Sequence, residues 1–511
     1  MALPPNVSAT DFNAALRAWR DAVGADWVFT SPEDVALYRD AYSPLYGEPD
    51  ERVASAAVAP STLEQVQAVV RAANQHRVPL YAISTGRNLA YGGSAPVHSG
   101  SVVLDLKRLN RVLEVNERNA YALVEPGVSY FDLYEHVTRA GLDVWIDPPD
   151  PGWGSVIGNA LDGGGGWTAY PFRDHFAAHC GMEVVLANGE VVRTGMGAVP
   201  NSKSWQQNKW GYGPWVDGLF RQGNMGVVTK MGFYLMPRPE AYVSANVQVM
   251  RDEDIVPLLD TLNLLENQHV VNGSTQMFGS AIGAQPVPGA PAWTVQCPIY
   301  GPEKVIRAQL EYAKERFSKI PGLRFNETEL LRTPLSPEAL KRVRQVNFGI
   351  PNLSTFGMLG RSPANPDPAG GHIGFSPIIP RTGEAVLEYQ RFYRENLPKV
   401  SGGNNLGIIG PVFMTNWERS MIAMIMFPIG RDKARNAQIR TAFKQWVGLA
   451  AERGWAEYRA TAIFQDLVAD TYSYNNHALR RLRETIKDAV DPNGILSPGR
   501  YGVWPKHLRK T

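Results

Sequence analysis

The sequence predicts an α+β fold of more than one domain, not a doubly wound parallel sheet. Three observations carry that reading. Residues 53–130 give a strand, one helix and a strand, and then consecutive strands with no helix between them. From about residue 239 the texture changes to longer alternating segments interleaved with separate helical runs. No G-x-G-x-x-G and no G-x-x-x-x-G-K-[ST] occurs in 511 residues, which argues against a Rossmann nicotinamide site or a P-loop. At about 100–200 residues per domain, this length means two or three domains.

The elements follow in order. Val53 to Pro60 reads as a strand, and Ser61-Thr-Leu-Glu64 as a capping box opening a helix whose Leu63, Val66, Val69, Val70 and Ala73 share one face. A second strand, Val78 to Ser84, runs into the glycine-rich loop Thr85 to Pro96. Strands over 101–106, 111–115 and 121–125 then form a meander. Beyond residue 239 come a strand starting at Tyr242 and helices over 253–268, 303–318 and 431–453. In the tail, Leu479, Leu482, Ile486 and Val490 fall on one helical face before the stop Asp491-Pro-Asn-Gly494.

Composition narrows the function. With 51 Lys and Arg against 49 Asp and Glu the net charge is +2, and no long basic run exists, so a nucleic-acid or anionic-membrane partner has no electrostatic footprint. Small-molecule chemistry is the expectation. Two cysteines, Cys180 and Cys297, allow neither a disulfide framework nor a four-thiolate metal site and fit a reducing compartment. The start Met1-Ala-Leu-Pro-Pro-Asn has no basic or apolar leader, and no run nears the roughly 18 apolar residues of a membrane span. The expected location is cytoplasmic. The unusual feature is the supply of 13 Trp, 20 Tyr, 18 Phe and 48 Gly.

Glycines cluster at 86–93, at Gly152-Trp-Gly154, at Gly163 to Gly166 and at Gly226, near strand ends. Bare backbone there can approach a pyrophosphate and donate N–H groups, although each cluster alone also reads as a turn. Tyr91, Tyr458 and Arg459 could converge on an acidic oxygen. A phenol, with a pKa of about 10, binds as phenolate at neutral pH only against a cation and strong donors. Ordinary core packing is the competing reading for each of the three. Asp150, held between prolines and glycines, is either a general base or the start of an Asx turn before Pro151. His175, His179 and Cys180 lack further ligands in the sequence, so no metal is expected. His372 stands among small residues at a strand start, and its segment alone assigns it no role.

Taken together, Ser84-Thr-Gly-Arg-Asn-Leu-Ala-Tyr-Gly-Gly93, Glu125-Pro-Gly127, Asp150-Pro-Gly-Trp-Gly-Ser155, Cys180 to Gly189, Arg193-Thr-Gly-Met-Gly197, Asn224 to Lys230 and Asp491-Pro-Asn-Gly494 resemble the vanillyl-alcohol oxidase/para-cresol methylhydroxylase family of FAD enzymes. The resemblance covers nearly the whole chain and is strongest to the 4-alkylphenol-oxidising branch. It implies an FAD-binding domain over 1–238, completed by 456–511, with a substrate cap over 239–455. It makes Gly86, Arg87, Asn88, Gly92 and Gly93 cofactor contacts, together with Pro149, Ser155, Gly158 and Asn159 and, further on, Gly226, Val228 and Arg500. His372 matches a histidine covalently bound to the flavin. Tyr91, Tyr458 and Arg459 match the trio that holds a substrate phenolate, and Asp150 matches the carboxylate near flavin N5. Trp167, Gly374, Met414 and Met421 are the implied substrate-pocket positions, and Trp153 or Trp167 would line the flavin.

The implied activity is oxidation of a para-substituted phenol at its benzylic carbon by hydride transfer to FAD, with O₂ reduced to H₂O₂, in a homodimer. His372 and Asp150 are what favour an oxidase over a dehydrogenase that passes electrons to a cytochrome. A non-catalytic aromatic-binding flavoprotein is the remote alternative. The chain departs from the family pattern at Ala90 (usually Gly), Trp167 (usually Tyr), Gly374 (usually aromatic) and Arg419-Ser-Met421 (usually Met-His-His).

Overall fold

The computed structural model describes residues 3–279, 289–354, 371–415 and 417–509. Met1 and Ala2 of the N-terminal segment read above lie outside them.

The first sheet contains β1 (Val28–Phe29), β2 (Ala57–Val58), β3 (Leu80–Ile83) and β4 (Val102–Asp105) in the order β1-β2-β4-β3, with β2, β4 and β3 parallel. A parallel pair needs a crossover, and the helix Leu63–His76 supplies it. Its Val66, Val69, Val70 and Ala73 are buried as the spacing predicts. The cap is shifted by one residue from the expected box. Thr62 accepts from the Gln65 amide, and the Gln65 side chain returns to Ser61 N at 2.7 Å. Helix Ala9–Val23 packs alongside, with Trp19 Nε1 donating to Val69 O at 3.1 Å.

The chain continues through β5 (Val112–Asn116), β6 (Tyr121–Val124), β7 (Val144–Trp145), β8 (His179–Val185), β9 (Val191–Arg193), β10 (Val227–Tyr234) and β11 (Met236–Pro237). Five of these form the second sheet, ordered β5-β6-β10-β8-β9, while β7 and β11 form a separate ribbon. The expected meander is therefore divided: β4 belongs to the parallel sheet, and only β5 and β6 form an antiparallel pair.

The third sheet has nine strands: β12 (Ala241–Val249), β13 (Gln276–Gly279), β14 (Trp293–Gly301), β15 (Arg324–Glu327), β16 (Leu331–Arg332), β17 (Gly371–Phe375), β18 (Ile378–Pro380), β19 (Ile409–Met414) and β20 (Ser420–Ile429). Its order is β15-β12-β14-β13-β19-β20-β17, with β16 on β12 and β18 on β20. Helices Ile255–Asn267, Glu303–Phe317, Gly383–Val400 and Lys433–Ala451 share with this sheet one large apolar core that includes Trp293, Phe413, Phe427, Tyr389 and Trp446.

The tail returns to the first sheet. Leu80 N donates to Ile495 O and Ser497 N to Leu80 O, both at 2.7 Å. The fully buried Lys487 ammonium ties the turn, donating to Asp491 Oδ2 at 2.6 Å, Asn224 O at 2.6 Å and Leu496 O at 2.7 Å. The expected tail helix is Tyr474–Val490, capped at Asp491. Ile486 and Val490 pack inward, whereas Leu479 and Leu482 are exposed, and the first half of the helix meets the body through polar contacts such as Arg480 Nη2 to Asp470 Oδ1 at 2.6 Å. Among the described residues no helix is long and apolar enough to cross a membrane, and no acidic, His or Cys group is arranged to hold a metal.

Candidate active site

A cavity of about 520 Å³ opens where the three sheets meet. Its roof is one face of the third sheet. Strand alternation sends Met421, Ala423, Ile425 and Phe427 of β20 into the helix-covered core and turns Ile422, Met424 and Met426 onto the cavity. The register extends this face sideways. Gly374 of β17 lies opposite Met426, Val412 of β19 opposite Met424, Met414 opposite Ile422, and Gln276 of β13 opposite Met414. Met414 and His372 line the cavity. Met421 does not: it is fully buried on the reverse face, one residue out of phase with the roof.

Tyr91, Tyr458 and Arg459 meet under β17. A Cβ added to Gly374 would sit 3.5 Å from the Tyr91 hydroxyl. The Arg459 guanidinium lies 3.8 Å above the Tyr91 ring, and the Tyr458 ring meets Trp417 edge-on at 5.0 Å. Arg459 is aimed by two partners, with Nε donating to Asp162 Oδ2 at 3.0 Å and Nη2 to Asn88 Oδ1 at 2.9 Å. Burial raises the pKa of both phenols, and the Arg459 charge only partly offsets it, so both side chains remain protonated donors. Burial also works against the Arg459 charge, but Asp162 and the surrounding tyrosines outweigh it and hold the guanidinium above its ordinary range.

Two acids at this site escaped the sequence reading. Asp162 is a hub: its Oδ2 accepts from Arg459 and Asn88, and its Oδ1 from Arg500 at 3.2 Å and Tyr501 at 2.6 Å. Nothing in Leu161-Asp-Gly163 marks this, because all four partners are distant in sequence. Glu457, also buried, accepts from the backbone N–H of Ser376 and, at 2.9 Å, of Arg459. Burial lifts its pKa from 4.5 to about 8 against those bonds and Arg459. The neighbouring Tyr458-Arg459 pair was the available signal for Glu457.

Asp150 lines the same cavity with its side chain buried. Its Oδ2 accepts from Ser354 Oγ at 2.8 Å and faces Arg344 Nη2 at 3.9 Å. Arg344, which sequence reasoning missed, lies 3.6 Å over the Trp167 ring, and burial lowers its pKa while Asp150 opposes the shift. Trp167 is on the wall. Trp153 is not among the wall residues and lies instead beside Arg87, 5.5 Å from its ring centroid. His175, considered above as a metal ligand, bonds Asp147 Oδ2 at 2.8 Å, Asn159 Oδ1 at 2.5 Å and the Tyr130 hydroxyl at 2.9 Å. His179 is paired with Asp217 at 3.0 Å.

The remaining wall tests the cofactor. Gly86, Arg87, Asn88 and Gly93 line it, as do Pro149, Ser155, Gly158 and Asn159, and on the far side Gly226, Val228 and Arg500. Gly92 is the exception, because its Cα faces Ala462 instead. At Gly86 the backbone has φ +67°, and a Cβ would fall 2.2 Å from Ser94 Oγ, so the loop closes only with glycine. A Cβ at Gly154 would meet no protein atom within 4 Å. A bare-backbone wall carrying Arg87 and Arg500, together with an apolar sheet face and His372, fits an anionic dinucleotide bearing a flat ring.

Comparison with known proteins agrees with this fit. Residues 54–195 match the FAD binding domain family. The chain is 33% identical to the 4-cresol dehydrogenase [hydroxylating] flavoprotein subunit of Pseudomonas putida, over 98% of this chain and 97% of that one. It superposes on the solved structure of 4-ethylphenol oxidase from Gulosibacter chungangensis, in complex with isoeugenol, with a TM-score of 0.87 at 36% identity, covering 99% of this chain and all of that one. With substrate-bound p-cresol methylhydroxylase the TM-score is 0.84 at 32% identity, with 99% of each chain covered. The chain therefore belongs to the vanillyl-alcohol oxidase/para-cresol methylhydroxylase family, and it is an FAD-dependent oxidoreductase.

Proposed function

We propose that this enzyme is an oxidase of para-substituted phenols (4-alkylphenols, 4-allylphenols or 4-hydroxybenzylic alcohols) that returns its electrons to O₂ and releases H₂O₂. The observation that carries the proposal is the Arg459 guanidinium over the Tyr91 ring, anchored by Asp162, in one cavity with Tyr458 and Asp150. A buried cation beside two protonated phenol donors is the electrostatic complement of a phenolate oxygen.

FAD supplies the two-electron acceptor, and His372 is the residue proposed to tether it. Arg459, Tyr91 and Tyr458 bind the phenol oxygen and favour release of its proton. The resulting charge spreads through the ring to the para carbon, so the benzylic C–H bond is weakened toward hydride loss. The substrate is left as a quinone methide, electrophilic at the benzylic carbon. Asp150 then acts as base on a water that adds there, which gives the alcohol. For longer chains, loss of the neighbouring C–H proton gives the alkene. Arg344 and Ser354 keep the Asp150 carboxylate oriented during either step.

The cytochrome-coupled alternative draws support from the Pseudomonas putida relative, which is a dehydrogenase. Oxygen uptake with 4-ethylphenol separates the two. The oxidase consumes one O₂ and forms one H₂O₂ per phenol. Rapid dye reduction without oxygen uptake would assign the enzyme to the dehydrogenases instead. We further propose a cytoplasmic homodimer, which light scattering and cell fractionation test.

A further inference from the structure

Asp162 divides its two oxygens between two sets of partners. Oδ2 takes Arg459 and Asn88, next to Tyr91, while Oδ1 takes Arg500 and Tyr501, next to Tyr81, whose hydroxyl accepts from Arg500 at 3.0 Å. The carboxylate is buried at the end of the short helix Val156–Leu161, so solvent cannot replace any of these partners. It joins three separate stretches of chain: the glycine loop through Asn88, the helix end, and the tail through Arg459, Arg500 and Tyr501. Arg459 has a long, flexible side chain, and burial alone does not fix where its charge points. The two bonds from Asp162 and Asn88 do.

We propose that Asp162 is a positioning residue that holds Arg459 in its phenolate-binding posture over Tyr91, an inference that rests on the phenol reading above. Charge alone gives the opposite expectation. Asp162 is an anion beside the place where a phenolate would sit, so deleting it should tighten anion binding by simple electrostatics. Positioning requires that deletion weaken it, because Arg459 loses the carboxylate that aims it.

The probe is 4-bromophenol, which has no benzylic hydrogen to donate, titrated calorimetrically into the flavin-loaded enzyme at pH 7. Asp162→Ala should bind it at least 10-fold more weakly than wild type. In an Arg459→Ala background the same substitution should change affinity less than 2-fold. Unchanged or tighter binding in the single variant, or an equal loss in both backgrounds, overturns the proposal. If Asp162→Ala does not fold, Asn88→Ala removes the second anchor, with an expected loss of about 3-fold that also vanishes in the Arg459→Ala background. Wild-type affinity in that variant would equally overturn it. A wild-type enzyme that fails to bind the phenol at all would instead sink the functional reading.

Discussion

Replacing Arg459 with alanine removes the one cation that lies over Tyr91, and the cost follows from the geometry. With the phenol oxygen in hydrogen-bond reach of the guanidinium, the charge separation is about 4 Å. At an effective dielectric near 20 that contact is worth about 4 kcal/mol, or about three pH units in the ionisation of the bound phenol. The bound phenol should therefore ionise about three pH units lower in the wild type than in Arg459→Ala, where burial holds its ionisation above the value of about 10 that it has in water. Asp162 keeps Arg500, Tyr501 and Asn88 in the variant, so the fold should survive. The assay is the ultraviolet phenolate band of bound 4-bromophenol, followed from pH 5 to 10 in both proteins. The rate of anaerobic flavin reduction by 4-ethylphenol should fall by about 10²–10³, the usual cost of losing one preorganised donor. Superimposable pH curves for the two proteins would refute the reasoning.

Three further outcomes are expected. Glu457 has a folded pKa near 8 against an ordinary 4.5. Between those values the folded chain keeps a proton that the unfolded chain has released, so stability falls as pH rises, by up to about 1.4 kcal/mol per pH unit, and levels off above about pH 8. Glu457→Gln should flatten that decline in calorimetric melting scans between pH 5 and 8.5, and a slope identical to wild type would contradict it. Met421→Ala and Met424→Ala should separate. The first empties a core site and costs about 2–5 kcal/mol of stability by chemical denaturation, whereas the second changes KM across a 4-alkylphenol series with little change in melting. Finally, His372→Ala should release its flavin on acid precipitation, while the wild type retains the colour on the protein pellet.

Local patterns were the legible part of this chain. The helix at 63–76 announced itself by spacing, because its buried face needs only contacts along one element. The glycine loop and the Tyr458-Arg459 pair were visible because their composition is unusual. Register was harder. Met421 and Met424 are chemically alike, and only the sheet register, with Met421 opposite Ile379 of β18 and Met424 opposite Val412 of β19, decides which of them faces the cavity. Leu479 and Leu482 lie on the expected stripe but are exposed, because an apolar stripe marks a face and not how much of it is covered. The hub at Asp162 and the Arg344 stack on Trp167 could not be read at all, since each joins residues far apart in sequence. Those long-range partners are what turn a plausible set of side chains into a charged, preorganised site.

On the proposed mechanism this cavity binds a phenol as its anion, and the benzylic carbon loses a hydride. The most direct measurement is anaerobic mixing of the holoenzyme with 4-ethylphenol and with its counterpart deuterated at the benzylic carbon. Full bleaching of the flavin band and a several-fold slower reduction with the deuterated phenol are expected. A flavin that stays oxidised with every para-substituted phenol tried, or that bleaches at equal rates with both isotopologues in a single turnover, would contradict it.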